Sequence, residues 1–408
     1  MIEETRNYIP RTEYSRKVRP YVGQSVIKVF TGQRRVGKSY VMRQTADEVA
    51  ERDPQANILF IDKELLTFSP LRDARSLYDY VREGRKEGAS NYLFVDEVQE
   101  IADFHTALRS MQGEGLCDIY CTGSNAQILS GELATMLAGR YIEIPVHALS
   151  YEEFLRFNKT RDSDEALSRY ITIGGMPYVH HLPDTTEVAY EYLKNVYASI
   201  LLKDVVARGG IRNVHFMENL VAYLCDNIGS ITSANNISKY LKSQRIHLPT
   251  QSVLNYLRAL TEAFFVYKIP RADVAGLKIF EVGDKYYFED WGIRNAIRRF
   301  DLLADVGKLM ENIVCIELLR RGFRVFVGKA GTKEVDFIGE KNSRRLYIQV
   351  AYTLADESTA QREFSPLLAI RDNYPKMVVT MDPLSLGDRR GVRHLTLREF
   401  LLSPPQTE

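Results

Sequence analysis

The sequence predicts an α/β fold: a parallel sheet covered by helices, then a mostly helical middle part, then a second, smaller α/β region. Three observations support this prediction. Over residues 1–149, apolar β-rich runs alternate with helical patterns, which is typical of parallel strands joined by crossover helices. These runs are nearly continuous in apolar residues, as expected for strands buried on both faces. From Ser150 onward the pattern becomes mostly helical before strands return.

The predicted elements can be given in chain order. The first part has strands at 25–31, 56–62, 91–97, 117–123 and 140–146, with helices at about 38–51 and 71–88 and a further amphipathic helix before the fourth strand. The middle part has helices at 151–158, 164–173, 186–207, 214–228, 234–243 and 250–264, then strands at 264–270 and 278–290. The last part has a helix at 305–321, strands at 323–327, 334–339 and 345–352, a helix at about 357–371 and a strand at 376–381.

Composition and charge indicate a soluble globular protein of two to four domains. The 408 residues exceed the roughly 250–300 at which a single core stops growing. The net charge of +1 gives no overall attraction to nucleic acid or membrane, so either partner would need a local patch. The N-terminus is charged, no apolar stretch is long enough to span a membrane, and the four cysteines form no CxxC pair. We therefore expect a cytoplasmic protein with free thiols and no membrane partner.

A glycine-rich loop follows the first strand and opens the first helix. Residues 32–39, GQRRVGKS, match the GxxxxGK[ST] pattern, which a chain of this length would contain by chance with a probability of about 1–2%. Gly32 and Gly37 permit a tight turn whose main-chain N–H groups converge on phosphate oxygens. We expect Lys38 to reach the β- and γ-phosphates and Ser39 to ligate Mg²⁺. The expected nucleotide-binding residues of the loop are Gly32, Gln33, Arg34, Arg35, Val36, Gly37, Lys38 and Ser39.

Two adjacent acids end the third predicted strand. The run Tyr92-Leu93-Phe94-Val95 carries Asp96 and Glu97 to the carboxyl edge of the sheet, where the glycine-rich loop also lies. We expect Asp96 to bind Mg²⁺ through water and Glu97 to polarise the attacking water. The alternative is that the two carboxylates only stabilise the N-terminus of the next helix.

Further candidate residues follow the fourth strand. Ser124 and Asn125 lie where a polar side chain would sense the γ-phosphate, although a helix-capping role fits them equally well. Arg140 stands just before the fifth strand, and a cation there would stabilise the transferring phosphoryl group. The sequence leaves open whether Arg140 acts on its own chain, acts on a neighbouring subunit, or is an ordinary surface arginine.

The chain resembles prokaryotic AAA+ ATPases that carry an uncharacterised C-terminal domain. The motifs that carry the resemblance are TGQRRVGKS, LFVDEVQE, CTGSNAQIL, LAGRYIEIPVHALSYEEFL, GGMP, KYYFEDWGIRNAI and EVDF, in this order along most of the chain. The resemblance implies that the nucleotide is ATP, whereas the motif spacing alone leaves ATP and GTP open. We expect an AAA+ ATPase core of the P-loop NTPase fold at 1–149, a helical lid at 150–212 and a winged-helix domain at 213–295.

The winged helix is predicted from a helix-turn-helix pattern at 234–264 followed by two strands. Its second helix would present exposed residues, including Arg258, to the DNA major groove. That face carries few cations, and phosphate contacts dominate DNA affinity. We therefore favour a winged helix that packs on the ATPase and transmits its state.

The C-terminal part, 296–408, has the order of elements of a PD-(D/E)xK nuclease. Glu311 lies on its first helix, Asp336 enters a hairpin strand, and Gln349 stands where a second metal-binding acid belongs. Such a site needs clustered carboxylates around Mg²⁺ and a nearby cation. Gln349 is neutral, and Ala351 occupies the position of the lysine.

We therefore favour a nuclease fold that has lost its chemistry over an active nuclease or an unrelated hairpin. A lysine from elsewhere, such as Lys329 or Lys333, would be needed to restore a cation.

The sequence thus predicts an ATP-hydrolysing AAA+ switch that uses ATP and Mg²⁺. The alternatives are an ATP-gated nucleic-acid-binding module and, less favoured, a metal-dependent nuclease. DNA or RNA would bind through the winged helix or the basic patch at 320–345. A protein partner and a homo-oligomer are left open.

Overall fold

The computed structural model describes residues 8–126, 139–211, 213–246, 248–280, 283–298 and 302–403. Parts of the CTGSNAQIL and LAGRYIEIPVHALSYEEFL motifs lie outside these ranges. Within the ranges, every helix is too short or too polar to cross a membrane. The chain forms two compact units, the first of residues 1–147 with 262–264, and the second of residues 148–261 and 265–408.

The first unit is a parallel sheet with helices, as the sequence predicts. Its helices are α1 Thr12–Val18, α2 Lys38–Arg52, α3 Ala74–Gly84 and α4 Phe104–Gly113. Its strands are β1 Ile27–Thr31, β2 Asn57–Asp62, β3 Asn91–Asp96, β4 Asp118–Gly123 and β5 Tyr141–Pro145. The five strands are all parallel, in the order β2-β3-β4-β1-β5. The predicted fold class is therefore confirmed.

Strand order places the candidate site at the carboxyl ends of the inner strands of this sheet. The interior strand β1 is buried throughout, as expected for a parallel strand with helices on both faces of its sheet. β4 lies between β1 and β3, with Thr31 in register with Gly123 and Val95 with Cys121. The carboxyl ends of the three strands therefore meet, and each is followed by a predicted functional segment.

The helical part of the second unit begins after His147. Its helices are α5 Tyr151–Phe157, α6 Asp164–Ile173, α7 Thr186–Ser199, α8 Val214–Asp226, α9 Ala234–Ser243, α10 Thr250–Glu262 and α11 Trp291–Ile297. α7 continues as a π-helical segment, Ile200–Ala207. The sequence analysis missed α11. Residues 291–296 are all buried, so this helix shows no alternation of polar and apolar faces.

Two antiparallel strands follow α10, in the part of the chain where the sequence predicts two strands. They are β6 Val266–Ile269 and β8 Lys285–Phe288, and Val266 pairs with Phe288. Both are shorter than the predicted strands at 264–270 and 278–290. The chain between them contributes a third strand, β7 Arg271–Asp273, to a different sheet.

That second sheet has seven strands in the order β13-β14-β12-β11-β10-β9-β7. Its remaining strands are β9 Arg324–Ala330, β10 Lys333–Lys341, β11 Arg344–Val350, β12 Lys376–Thr380, β13 Asp388–Arg389 and β14 Val392–Thr396. Helices α12 Leu302–Arg320, α13 Glu357–Leu368 and α14 Leu397–Leu402 belong to the same part of the chain. The hairpin of β10 and β11 is antiparallel, and β11 pairs in parallel with β12. The sequence analysis missed β7, β13 and β14, which are short or lie in a polar stretch.

Candidate functional site

The glycine-rich loop, residues 32–37, joins β1 to α2 in a conformation that needs its two glycines. Gly32 has φ +141°, and a Cβ there would lie 2.1 Å from the Val146 carbonyl oxygen. Gly37 directly precedes α2 with φ +96°, in the left-handed region. Arg35 also has a positive φ, +72°, although it carries a side chain. The loop therefore has the tight turn and close backbone approach that phosphate binding requires.

Lys38 is buried, and its ammonium group lies against the loop itself. Its Nζ donates to the carbonyl oxygens of Gly32 and Gln33, each at 2.9 Å. A carbonyl oxygen is a weaker partner for an ammonium group than an anionic phosphate oxygen. Phosphate groups bound at the N-terminus of α2 would therefore compete for this lysine.

The remaining loop residues differ in their surroundings. Val36 and Gln33 are buried, and both polar atoms of the Gln33 side chain lack a hydrogen-bond partner among the described residues. The Arg34 guanidinium lies 3.8 Å from Glu64, while the Arg35 side chain is exposed.

Asp96 and Ser39 lie together, as predicted for a magnesium site. The Asp96 carboxylate is buried and receives hydrogen bonds from the hydroxyls of Ser39 and Thr122. Burial raises the pKa of Asp96, and the two hydroxyl bonds oppose this shift. Carboxylate and hydroxyl oxygens suit Mg²⁺, whose other positions are commonly filled by water and substrate phosphates. Within the described part of the chain, no group of three or more His, Cys, Asp or Glu residues could hold a metal alone.

Glu97 follows β3 in a left-handed conformation, with φ +54°. Its main-chain N–H donates to the Thr122 hydroxyl at 2.8 Å. The Ser124 hydroxyl donates to Glu97 Oε2 at 3.2 Å, and the Gln99 side-chain amide donates to the same oxygen. The structure thus brings the end of β3 and the end of β4 together, with Ser124 on the carboxylate of Glu97. Asn125 is also buried at this edge.

The sequence analysis missed Thr122 as a site residue. Its hydroxyl donates to Asp96 while accepting the N–H of Glu97, so one side chain holds both acids. Its place one residue before the Gly123-Ser124 pair, at the end of a buried strand, was the available signal.

Arg11 is a second residue that the sequence analysis missed. Its guanidinium donates to the carbonyls of Val36 and His147, each at 2.9 Å, and lies over the Tyr14 ring. Arg11 is almost fully buried, and no motif marks it. Arg11 therefore connects the glycine-rich loop to the chain that follows β5.

Arg140 lies at the other end of the sheet from the phosphate loop. Its carbonyl accepts the N–H of Ile27, the first residue of β1, at 2.8 Å. The loop begins only after Thr31, so about five residues of strand, roughly 16 Å at 3.3 Å per residue, separate the two. Of the three possibilities that the sequence left open for Arg140, this position argues against action on the nucleotide of its own chain. Action on a neighbouring subunit stays a prediction.

In the second unit, Glu311 and Asp336, two residues of the expected nuclease-like site, lie near the same cation. The cation beside them is Lys285, from β8, which the sequence analysis did not consider. The Gln349 amide accepts the Asp336 N–H at 3.3 Å and donates to Glu363 at 3.0 Å. Gln349 therefore lies beside the cluster and is bonded into the surrounding structure.

The two lysines suggested by the sequence lie elsewhere. The Lys329 ammonium lies 5.4 Å from the centre of the Phe280 ring, and the Lys333 ammonium donates to Ser365 at 2.9 Å. Neither contact brings its ammonium to the carboxylates.

Several cations of the basic patch at 320–345 are engaged in local contacts. Arg320 is buried and bonds to Glu317 and to a main-chain carbonyl. Arg324 lies 3.3 Å from Glu340. The patch therefore offers less charge to a nucleic acid than its sequence suggests.

Two protein-family models match different parts of this chain. The model of an AAA domain matches residues 24–155, and a domain of unknown function (DUF8612) matches residues 164–303. An uncharacterized protein of Haemophilus influenzae is 34% identical over 97% of this chain and 98% of its own length. An uncharacterized protein of Methanocaldococcus jannaschii is 29% identical over 83% of this chain and 77% of its own length. Among solved structures, a Walker-type ATPase of Pyrococcus abyssi is 15% identical, with a TM-score of 0.45 over 72% of this chain and 97% of that chain.

Proposed function

We propose that this chain, which carries an AAA-type P-loop domain matched at residues 24–155, binds ATP with Mg²⁺ and hydrolyses it, acting as a nucleotide-dependent switch. One observation carries the proposal. The hydroxyl of Ser39, at the start of α2, bonds to Asp96, and Asp96 shares Thr122 with Glu97. The residues that would bind phosphate, metal and water are therefore neighbours at one sheet edge.

We assign the roles by chemistry. The main-chain N–H groups of residues 32–39 and the Lys38 ammonium bind the phosphates. Ser39 and Asp96 hold Mg²⁺, which when bound neutralises phosphate charge during transfer. Glu97 orients and polarises the attacking water, and its contact with Ser124 sets where the carboxylate points. Asn125 is the second polar group placed to sense the γ-phosphate.

ATP binding and hydrolysis by the full chain test this proposal. The Lys38→Ala variant should lose nucleotide binding, because no other side chain of the loop offers an ammonium group at that position. Lys86→Ala, at an exposed lysine, is the matched control and should leave binding unchanged. Wild-type affinity of Lys38→Ala for ATP would contradict the proposed site.

For the switch, we propose that the lid at 150–212 and the winged helix at 213–295 move together. Asp290, at the end of the winged helix, accepts the Gly175 N–H of the lid at 2.7 Å. The indole of Trp291 donates to the Tyr170 carbonyl at 2.9 Å, also in the lid. These buried contacts support one rigid relay ahead of the nuclease-like domain at 296–408.

The alternative is that ATP gates nucleic-acid binding by the winged helix. The observation that favours it is the exposed face of α10, where Gln251, Asn255 and Arg258 lie on the surface, ahead of the paired strands β6 and β8. Binding of duplex DNA should then weaken steeply with added salt and fall in Arg258→Ala. Absence of binding with and without ATP would remove this alternative and leave the ATPase proposal standing.

A further inference from the structure

A buried lysine lies among three carboxylates in the second unit. The Lys285 side chain is 3% exposed. Its Nζ lies 2.8 Å from Glu334 Oε1, 3.4 Å from Glu311 Oε2 and 3.8 Å from Asp336 Oδ1. The carboxylates come from α12 and β10, and the lysine comes from β8. Three separate elements thus converge on one ammonium group.

The charges of this cluster depend on each other. Three carboxylates so close together would repel, and burying them without a cation is costly. Burial by itself lowers the pKa of Lys285, but the carboxylates of Glu311, Asp336 and Glu334 outweigh burial and raise it. Lys285 therefore stays charged and supplies the positive charge that the cluster needs.

Two of the carboxylates also accept hydrogen bonds from other groups. The Tyr287 hydroxyl donates to Glu311 Oε2 at 2.9 Å. The Val350 N–H donates to Asp336 Oδ2 at 2.8 Å. A divalent metal ion in this cluster would need the same oxygens at about 2.0–2.6 Å, depending on the metal. It would also have to lie beside the ammonium, which repels it.

We propose that Lys285 is a built-in cation that takes the place of a divalent metal ion between Glu311, Glu334 and Asp336. The nuclease-like domain then keeps its acid cluster without binding a metal, and it does not perform metal-dependent cleavage. Because Lys285 lies on β8, its ion pairs with Glu334 and Asp336 on β10 also connect the two-stranded sheet to the seven-stranded sheet.

Manganese binding by the nucleotide-free full chain, with Lys285 unchanged, tests the proposal. The Asp96→Asn substitution is used in every sample, so that the phosphate-loop site does not contribute. The additional Asp336→Asn change should then leave Mn²⁺ binding unaltered in isothermal titration. A Mn²⁺ site that disappears with Asp336→Asn would overturn the proposal, as would Asp336-dependent DNA cleavage.

Removal of the lysine gives the complementary result. Lys285→Gln should lower Tm by about 5–10 °C, because it leaves buried carboxylates without a cation. Millimolar Mn²⁺ should restore much of this loss, and Asp336→Asn in the same chain should abolish the restoration. Lys333→Gln, at an exposed lysine of β10, is the matched control and should show neither effect. If Lys285→Gln folds and Mn²⁺ gives it no more stabilisation than it gives the control, the lysine does not stand in for a metal. If Lys285→Gln does not fold, the Mn²⁺ titration of the chains that keep Lys285 still tests the proposal.

Discussion

The hydroxyl of Thr122 accepts the main-chain N–H of Glu97 at 2.8 Å. The same hydroxyl donates its proton to Asp96. Glu97 adopts a left-handed conformation that non-glycine residues rarely take, and such strain persists only where surrounding contacts hold it. Thr122 therefore sets the positions of the proposed metal ligand and the proposed water-activating group together.

Thr122→Val should lower ATP turnover about 10–100-fold while ATP still binds, because Glu97 loses the bond that positions it. Valine has nearly the same shape but neither donates nor accepts. Thr122→Ser keeps the hydroxyl and should retain most of the activity. Steady-state hydrolysis and ATP affinity measured on both variants check this. Unchanged turnover in Thr122→Val would show that the hydroxyl is dispensable.

Glu97→Gln should bind ATP and Mg²⁺ but hydrolyse ATP about 10²–10⁴-fold more slowly, because the amide cannot act as a base. Single-turnover hydrolysis separates this chemical step from binding. Gln99→Ala removes only a neighbour of the carboxylate and should have a smaller effect. If Glu97→Gln turns over at the wild-type rate, the assignment of this carboxylate is wrong.

Arg140→Ala should reduce ATP hydrolysis only in assemblies of several subunits, because Arg140 lies far from the phosphate loop of its own chain. The measurement is a mixing experiment. Arg140→Ala keeps an intact loop, and Lys38→Ala keeps an intact Arg140, so a mixture should recover activity that neither variant shows alone.

Arg85→Ala is the control, at another exposed arginine. Full activity of Arg140→Ala at all protein concentrations would mark Arg140 as an ordinary surface residue.

Stability should depend on pH through Asp290. Burial raises the pKa of Asp290 to about 7, and the N–H groups of Gly175 and Ile293 oppose the shift. The folded state therefore binds a proton more tightly than the unfolded state. The contribution of Asp290 to stability is greatest below its unfolded pKa near 3.8 and is lost as the pH rises through about 7.

Asp290→Asn should remove this pH dependence, because asparagine does not titrate and still caps α11. In urea unfolding between pH 5 and pH 7, the wild type should lose up to about 1.4 kcal/mol per pH unit more than the variant. Parallel curves for the two proteins would show that Asp290 does not titrate in this range.

The strands and the glycine-rich loop of the first unit could be predicted from the sequence, whereas the roles of Thr122 and Arg11 could not. These strands are continuous apolar runs that are visible in the sequence. The GxxxxGK[ST] motif directly follows one of these runs, and the acids at 96–97 end another, so both could be recognised from the sequence. The helix α11 could not be predicted because it is buried on all sides, so periodicity carries no signal there. Lys285 could not be predicted as a neighbour of Asp336 because the two positions are far apart in the chain and meet only across two sheets.

By itself, the sequence determined the parallel sheet and the motifs that follow its strands. It also determined which residues are candidates to bind phosphate and metal. Only the tertiary structure decided which of those residues meet. In the folded chain, Thr122 bonds to both Asp96 and Glu97. Arg140 lies at the end of the sheet opposite the glycine-rich loop. Lys285 lies among the carboxylates of Glu311, Glu334 and Asp336. The physical reason is that periodicity and motifs are local properties of the chain. Burial and charge pairing arise instead between segments that only folding brings together.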